Sequence, residues 1–295
     1  MKDERIGGRL GGGRIIERER ITCTEHNLWT WIAHWSSELW KLKVQGAEEK
    51  YNVLKRRLAE KLLKAYSSMQ LFKIVNNYLD KVLQALKVLD CTVIDVKLEF
   101  KSRAIVGVGA TFARSAFEIG LAFDPLLNVP YIPGSSIKGA IRHGWRVIAA
   151  DDLKRLEEVV FGPEPGHERS VATSVLFLDF YLVNTKNEYG RVLLPDVVTP
   201  HYTEDELDES KVRPNPVVYV SLADGIVFRG FIALTPFLKL EVKRVTGKDY
   251  SIQDIAKEII KALMLVGKLG LGARTSVGYG KFEVSEVKLL VGDMA

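Results

Sequence analysis

Between residues 25 and 89, apolar side chains recur every three or four positions. Leu28, Trp31, Ile32, Trp35 and Leu39 predict one helix, and Tyr51, Leu54, Leu58, Leu62 and Tyr66 a second. Phe72, Val75, Leu79, Val82, Leu83 and Leu86 predict a third, and the tryptophans on these faces read as core residues rather than base-stacking platforms. At residue 91 the period falls to 2. Ile94, Val96, Leu98 and Phe100 alternate with Asp95, Lys97, Glu99 and Lys101, as in a half-buried strand. A glycine-interrupted strand or hairpin is expected over Ile105 to Phe112, and a strand over Val175 to Val183 with Leu176, Leu178, Phe180 and Leu182 on one face. Pro195 to Pro216 reads as loop. Strands are expected through Val217 to Leu222 and Val227 to Leu234, then a helix over Ile252 to Leu269 and a closing strand with Phe282, Val284, Val287 and Leu289 inward. From residue 91 onward, strand–helix–strands–helix–strand predicts an α+β chain built on a ferredoxin-like sheet with helices on one face and long insertions. The expected division is a Gly/Arg-rich tail over 1–20, a helical N-terminal region over 21–90 and the α+β domain over 91–295.

One more helix breaks the apolar rhythm with charge. After the Pro133-Gly134 turn, Ser135 or Ser136 is expected to cap a helix whose Ile137, Ile141, Trp145 and Ile148 form one apolar stripe. Lys138, Arg142 and Arg146 recur every fourth residue and form a cationic stripe about 100° around from it. Such a helix buries one face and turns three cations, with the N-terminal amides of Gly134, Ser135 and Ser136, toward a polyanion. An ordinary amphipathic surface helix gives the same pattern. No Gly-x-x-x-x-Gly-Lys-Ser/Thr spacing is present, so this is not a nucleotide-binding P-loop.

Between the last helix and strand lies Gly270-Leu271-Gly272-Ala273-Arg274-Thr275-Ser276-Val277-Gly278-Tyr279-Gly280-Lys281. Its paired glycines permit left-handed backbone and close approach of amides to a ligand. Arg274, Thr275, Ser276 and Lys281 add donors suited to phosphate oxygens, so the loop is a candidate anion cradle; the plainer reading is a tight turn.

Composition narrows the partner. The 295 residues carry a net charge of +5, with 47% hydrophobic and 27% charged residues, as in a water-soluble globular chain. Residues 1–90 hold 17 Lys and Arg against 11 Asp and Glu, and such a basic balance favours a polyanion. The acidic run Glu204-Asp205-Glu206-Leu207-Asp208-Glu209 would repel RNA and belongs in a solvated loop or against a protein. Two cysteines, Cys23 and Cys91, build neither a disulfide framework nor a zinc pattern. No apolar run approaches membrane-spanning length, so a cytoplasmic location is expected. His26, His34, His143, His167 and His201 stand at no metal-ligand spacing, and neither metal nor cofactor is expected.

Ile132-Pro133-Gly134-Ser135-Ser136-Ile137-Lys138-Gly139, followed far along by the Gly-x-Gly…Gly-x-Gly loop, resembles the RAMP superfamily of CRISPR effector proteins. Leu194-Pro195-Asp196-Val197-Val198-Thr199-Pro200-His201-Tyr202 is similar to an Asp-x-x-Thr-Pro-His-Tyr element of the terminal capping subunit of type III-B (Cmr) effectors. The resemblance covers about residues 91 to 290. It implies a modified ferredoxin-like (RRM-like) fold and a non-catalytic structural role near the 3′ end of the guide RNA. The implied partners are CRISPR guide RNA, target RNA, the repeating backbone subunit, the small helical subunit and the first Cmr subunit. RNA would then be held by Gly134, Ser135, Ser136, Lys138, Arg142 and Arg146 in one clamp and by Gly272, Arg274, Thr275, Ser276 and Lys281 in another. His201 and Tyr202 would stack on or bond to a nucleotide, or be structural. Some relatives are metal-independent RNases that process the guide precursor. In that alternative His201, Tyr202 and Lys138 would supply general base, general acid and charge stabilisation, and Asp124 or Asp179 would position a 2′-hydroxyl or a metal. Asp179 reads more simply as a solvent-facing strand residue, and a repeating backbone subunit is the remaining alternative.

Overall fold

The computed structural model describes residues 27–63, 70–110, 112–114, 116–163, 174–198 and 217–291. Helix α1 (Leu28–Val44) starts where the Asn27 side chain accepts the Thr30 amide, a cap that satisfies one otherwise orphan donor. Its stripe of Leu28, Ile32, Trp35, Leu39 and Leu42 is buried, whereas Trp40 is largely exposed. Helix α2 (Glu48–Leu62) follows, burying Leu58 and Leu62, and then α3 (Gln70–Val88), burying Phe72, Val75, Leu79 and Leu86. All three periodic readings are met here; Tyr66 lies outside the described residues.

Strand β1 (Thr92–Phe100) lies one strand in from an edge of the main sheet. It pairs antiparallel with β8 (Ile226–Leu234) on one side and β9 (Phe282–Leu290) on the other, with Ile94 opposite Ile232 and Phe100 opposite Phe282. Outside β8 come β5 (Phe180–Thr185), β3 (Val129–Ile132) and the two-residue β2 (Phe123–Asp124), giving the order β2-β3-β5-β8-β1-β9. The short β4 (Val175–Phe177) also pairs with β8.

Two helices pack on one sheet face, namely α4 (Gly134–Ile148) and α8 (Ile252–Leu269). Short helices α5 (Asp151–Lys154), α6 (Glu157–Phe161) and α7 (Leu238–Thr246) fill the connections. The approach of α4 to α8 is close. A Cβ on Gly144 would stand 2.7 Å from the Ala262 carbonyl oxygen.

Helices do not keep to one face, as the sequence suggested. Alternation along β1 and β8 sends Asp95, Lys97, Val227, Arg229 and Phe231 to the side opposite Phe100 and Phe228. There α3 lies across the sheet. Its Leu79 shares a cavity wall with Phe231, its Phe72 shares another with Val227, and its Asp80 pairs with Arg229 at 2.7 Å. An amphipathic helix as apolar on one side as α3 needs such a cover for its stripe.

Three further expectations change. Val175 to Val183 is broken at Leu178-Asp179, because Asp179 turns to accept the Gly134 amide at 2.6 Å. Its alternation fails accordingly, leaving Leu176 exposed. No strand forms among the described residues from Ile105 to Phe112, where Ile105, Val106 and Phe112 are buried and Val108 is exposed, beside a single bridge between Ala104 and Leu222. The carbonyls of Val106, Val108 and Phe112 are taken by the amides of Ala122, Gly120 and Leu121. Finally, the presumed loop from Pro195 begins as strand: β6 (Leu193–Val198) pairs with β7 (Val217–Leu222) in a separate two-stranded sheet. The buried side chains from α1 to β9 form one contiguous core.

Candidate nucleic-acid interface

Helix α4 carries the first set of candidate residues. Its apolar stripe is as expected, with Ile137, Ile141 and Trp145 buried and Ile148 partly exposed. Pro133, not Ser135 or Ser136, occupies the N-cap, and the helix begins at Gly134. Its N-terminus is already filled. The Gly134 amide goes to the Asp179 carboxylate, and those of Ser136 and Ile137 go to the Pro133 carbonyl. The expected amide site for an anion is therefore mostly spent, and Asp179 is its internal counter-charge rather than a solvent-facing strand residue. Asp124, the other carboxylate considered for chemistry, accepts the amides of Leu126 and Leu127 and so builds a turn.

The cationic stripe is also partly committed. Arg142 and Arg146 both donate to Glu157 of α6, at 2.6 Å and 2.5 Å. The Arg146 bond, followed against burial by that of Arg142, holds the Glu157 carboxyl below its ordinary range. Lys138 makes no hydrogen bond or ion pair among the described residues.

The second set lies beyond α8. Gly270, Gly272, Gly278 and Gly280 all have positive φ, and Arg274 itself is left-handed at 62°. A Cβ at Gly272 would lie 2.2 Å from the Ile105 carbonyl oxygen, and one at Gly280 would lie 2.1 Å from that of Leu271. These glycines thus serve packing of the loop on its own neighbours rather than approach to a ligand. Most loop amides are likewise consumed: Leu271 by Gly280, Ala273 by Ile105, Gly280 by Arg103 and Lys281 by the Ser102 hydroxyl. At the short 3₁₀ turn Thr275–Val277 the situation differs. Ser276 is exposed and Thr275 half-buried, and the Lys281 side chain is exposed with no partner among the described residues.

Arg274 sits over this turn. Its Nη1 donates to the Tyr219 hydroxyl at 2.8 Å, and its guanidinium carbon is 5.1 Å from the Tyr279 ring centre, a cation–π approach. Tyr279 in turn donates to Asp196, which Arg103 approaches at 3.2 Å. Burial alone would raise the Asp196 carboxyl. The bonds from Tyr279, the Val197 amide and Arg103 outweigh it and hold the group below its usual range. Burial, then the bond to Asp196, pushes the Tyr279 hydroxyl well above the ordinary phenol range.

Arg103, Asp196, Tyr219 and Tyr279 were not among the residues singled out from the sequence as RNA contacts. Asp196 falls within Leu194–Tyr202 and Tyr279 within Gly270–Lys281, but nothing local announces that the β6–β7 pair reaches the loop. The two candidate sets are joined through helix packing, α4 on α8 and α8 leading into the loop, and no described hydrogen bond or ion pair links their side chains. His201 and Tyr202, with the acidic run 204–209 and the tail 1–20, lie outside the described residues. Among the described residues, no three His, Cys, Asp or Glu side chains are grouped to hold a metal ion. No described helix is long and apolar enough to cross a membrane.

Against known proteins, residues 97–283 match the family model of the RAMP superfamily. The chain is 32% identical over 251 residues to the CRISPR-system CMR subunit Cmr6 of Saccharolobus solfataricus, an alignment spanning 85% of this chain and 78% of that one. It is 26% identical over 234 residues to Cmr6 of Pyrococcus furiosus, spanning 63% and 66% respectively. Among solved structures, a chain in the cryo-EM structure of the type III-B Cmr-beta complex bound to cognate target RNA superposes with a TM-score of 0.75. The two are 27% identical, and the match covers 95% of this chain and 96% of that one.

Proposed function

The chain belongs to the RAMP superfamily, and from that premise we propose that it is an RNA-binding, non-catalytic subunit of a type III-B CRISPR ribonucleoprotein. In this reading it caps the backbone filament near the 3′ end of the guide RNA. There it meets guide and target RNA, the repeating backbone subunit, the small helical subunit and the first Cmr subunit. The observation that carries the reading is the near full-length match to a chain of an assembly holding cognate target RNA.

The core supports a modified ferredoxin-like description. In chain order β1, α4, β5, β8, α8 and β9 give the βαββαβ pattern, and the antiparallel order β5-β8-β1-β9 is the one that pattern requires. Such a sheet often stacks bases on its open face. Here α3 covers that face, so RNA contact is assigned to α4 and the glycine loop. Lys138, Arg274, Thr275, Ser276 and Lys281 supply the donors, with Arg103 added from the structure. Phosphates rather than base edges suit this set, giving binding without sequence preference.

Labelled CRISPR-repeat and unrelated single-stranded RNAs, incubated with the chain in Mg²⁺ and in EDTA, test the non-catalytic part. Denaturing gels are expected to show both RNAs intact. A discrete cut in repeat RNA, abolished by His201→Ala, would make the chain a processing ribonuclease instead.

A further inference from the structure

Arg274 ends a chain of donors that runs inward from the glycine loop. Its Nη1 donates to the Tyr219 hydroxyl, the Tyr219 hydroxyl donates to that of Tyr279 at 3.3 Å, and Tyr279 donates to Asp196. Each hydroxyl accepts once and donates once, so the series is polarised toward the carboxylate at its end. Tyr219 is fully buried, and it stands directly opposite Asp196 in the register of β6 and β7. One strand pair therefore supplies both the acceptor that touches Arg274 and the anion that terminates the relay.

The arrangement also decides what remains available on the guanidinium. Arg142 and Arg146 give their donors to a carboxylate, whereas Arg274 gives one nitrogen to a neutral hydroxyl. The charge of Asp196 is engaged by Arg103 and Tyr279. Nε and Nη2 of Arg274 make no hydrogen bond among the described residues, and the ring of Tyr279 supports the planar group. A fork fixed at one corner with its other donors free matches the bidentate geometry of a phosphodiester. We infer that Tyr219 and Asp196 are positioning residues, which hold the Arg274 guanidinium ready for a phosphate of single-stranded RNA. This rests on the RNA-binding reading above.

The test is a double-mutant cycle read by equilibrium binding of fluorescein-labelled single-stranded RNA to the full chain across a KCl series. Tyr219→Phe removes one oxygen, and Asp196→Asn serves as a second variant should the first fail to fold. Each is expected to weaken binding about three- to tenfold, as for loss of a single useful hydrogen bond. Arg274→Ala is expected to flatten the salt slope by about 0.7, one phosphate contact on a single strand. In the Arg274→Ala background, neither Tyr219→Phe nor Asp196→Asn should weaken binding further. Equal weakening in both backgrounds would mean a merely structural role and overturn the inference. So would wild-type affinity for Tyr219→Phe and Asp196→Asn beside a weakened Arg274→Ala, a result that leaves the RNA reading intact. Absence of salt-dependent binding by the wild type would overturn both.

Discussion

At position 280 a methyl group has no room. The backbone is left-handed, with φ of 74°, and a Cβ would stand 2.1 Å from the Leu271 carbonyl oxygen, a backbone atom that cannot swing aside. Gly280→Ala is therefore expected to cost at least about 2 kcal/mol, from the left-handed penalty and the displacement together. Thermal denaturation should register a fall of at least about 3 °C for a chain of this size. Gly278, also left-handed but with open space around its Cα, should tolerate alanine better, since it meets only the conformational term. The contrast separates two reasons for glycine that look identical in the sequence. The motif marks where such residues are concentrated, and the neighbours that make one of them indispensable come from Arg103 and Leu271 by way of the fold.

On the scale of elements, α4 shows how far a periodic pattern reaches. Its buried stripe, its length and its cationic row all follow from spacing, as do α1, α3, α8 and β1. What spacing cannot supply is the counter-charge. Glu157 lies 11 residues beyond Arg146, on another helix, and reaches both Arg142 and Arg146. Asp179, 45 residues from Gly134, closes the helix start in the same way. The broken strand at Leu178-Asp179 and the strand at Pro195 to Val198 were illegible for a related reason: both are set by partners distant in sequence. Glu157 titrates from a depressed folded value against about 4.5 in the unfolded chain, so its contribution is complete above that pH. It is lost as pH falls through the folded value. Glu157→Gln should thus lower stability by about 1 kcal/mol at pH 7, the partial exposure of Arg146 limiting the figure. The gap between wild type and variant should narrow as pH falls below the unfolded value and close below the depressed folded one, measured as urea midpoints at each pH.

For the whole molecule, the placement of α3 matters most. By covering the sheet face that carries Asp95, Lys97 and Arg229, it denies that surface to RNA bases. In the proposed reading, RNA contact falls instead to α4 and the glycine loop. The Asp80–Arg229–Asp95 ion network, with bonds of 2.7 to 3.0 Å, ties the cover to β1 and β8. The sequence announced the helix and the strand separately, and their stacking depended on a choice of face that alternation leaves open. The proposal of two phosphate-directed clamps on one contiguous core makes a single quantitative demand, which is that affinity depends on salt through particular cations. The most direct measurement is the dissociation constant for single-stranded RNA against KCl concentration, for wild type and for Lys138→Ala combined with Arg274→Ala. Wild type is expected to bind with log affinity falling linearly in log salt, and the double variant to bind more weakly with a slope flatter by about 1.4. An identical slope and affinity for the two proteins, or no binding by wild type even at low salt, would contradict the account.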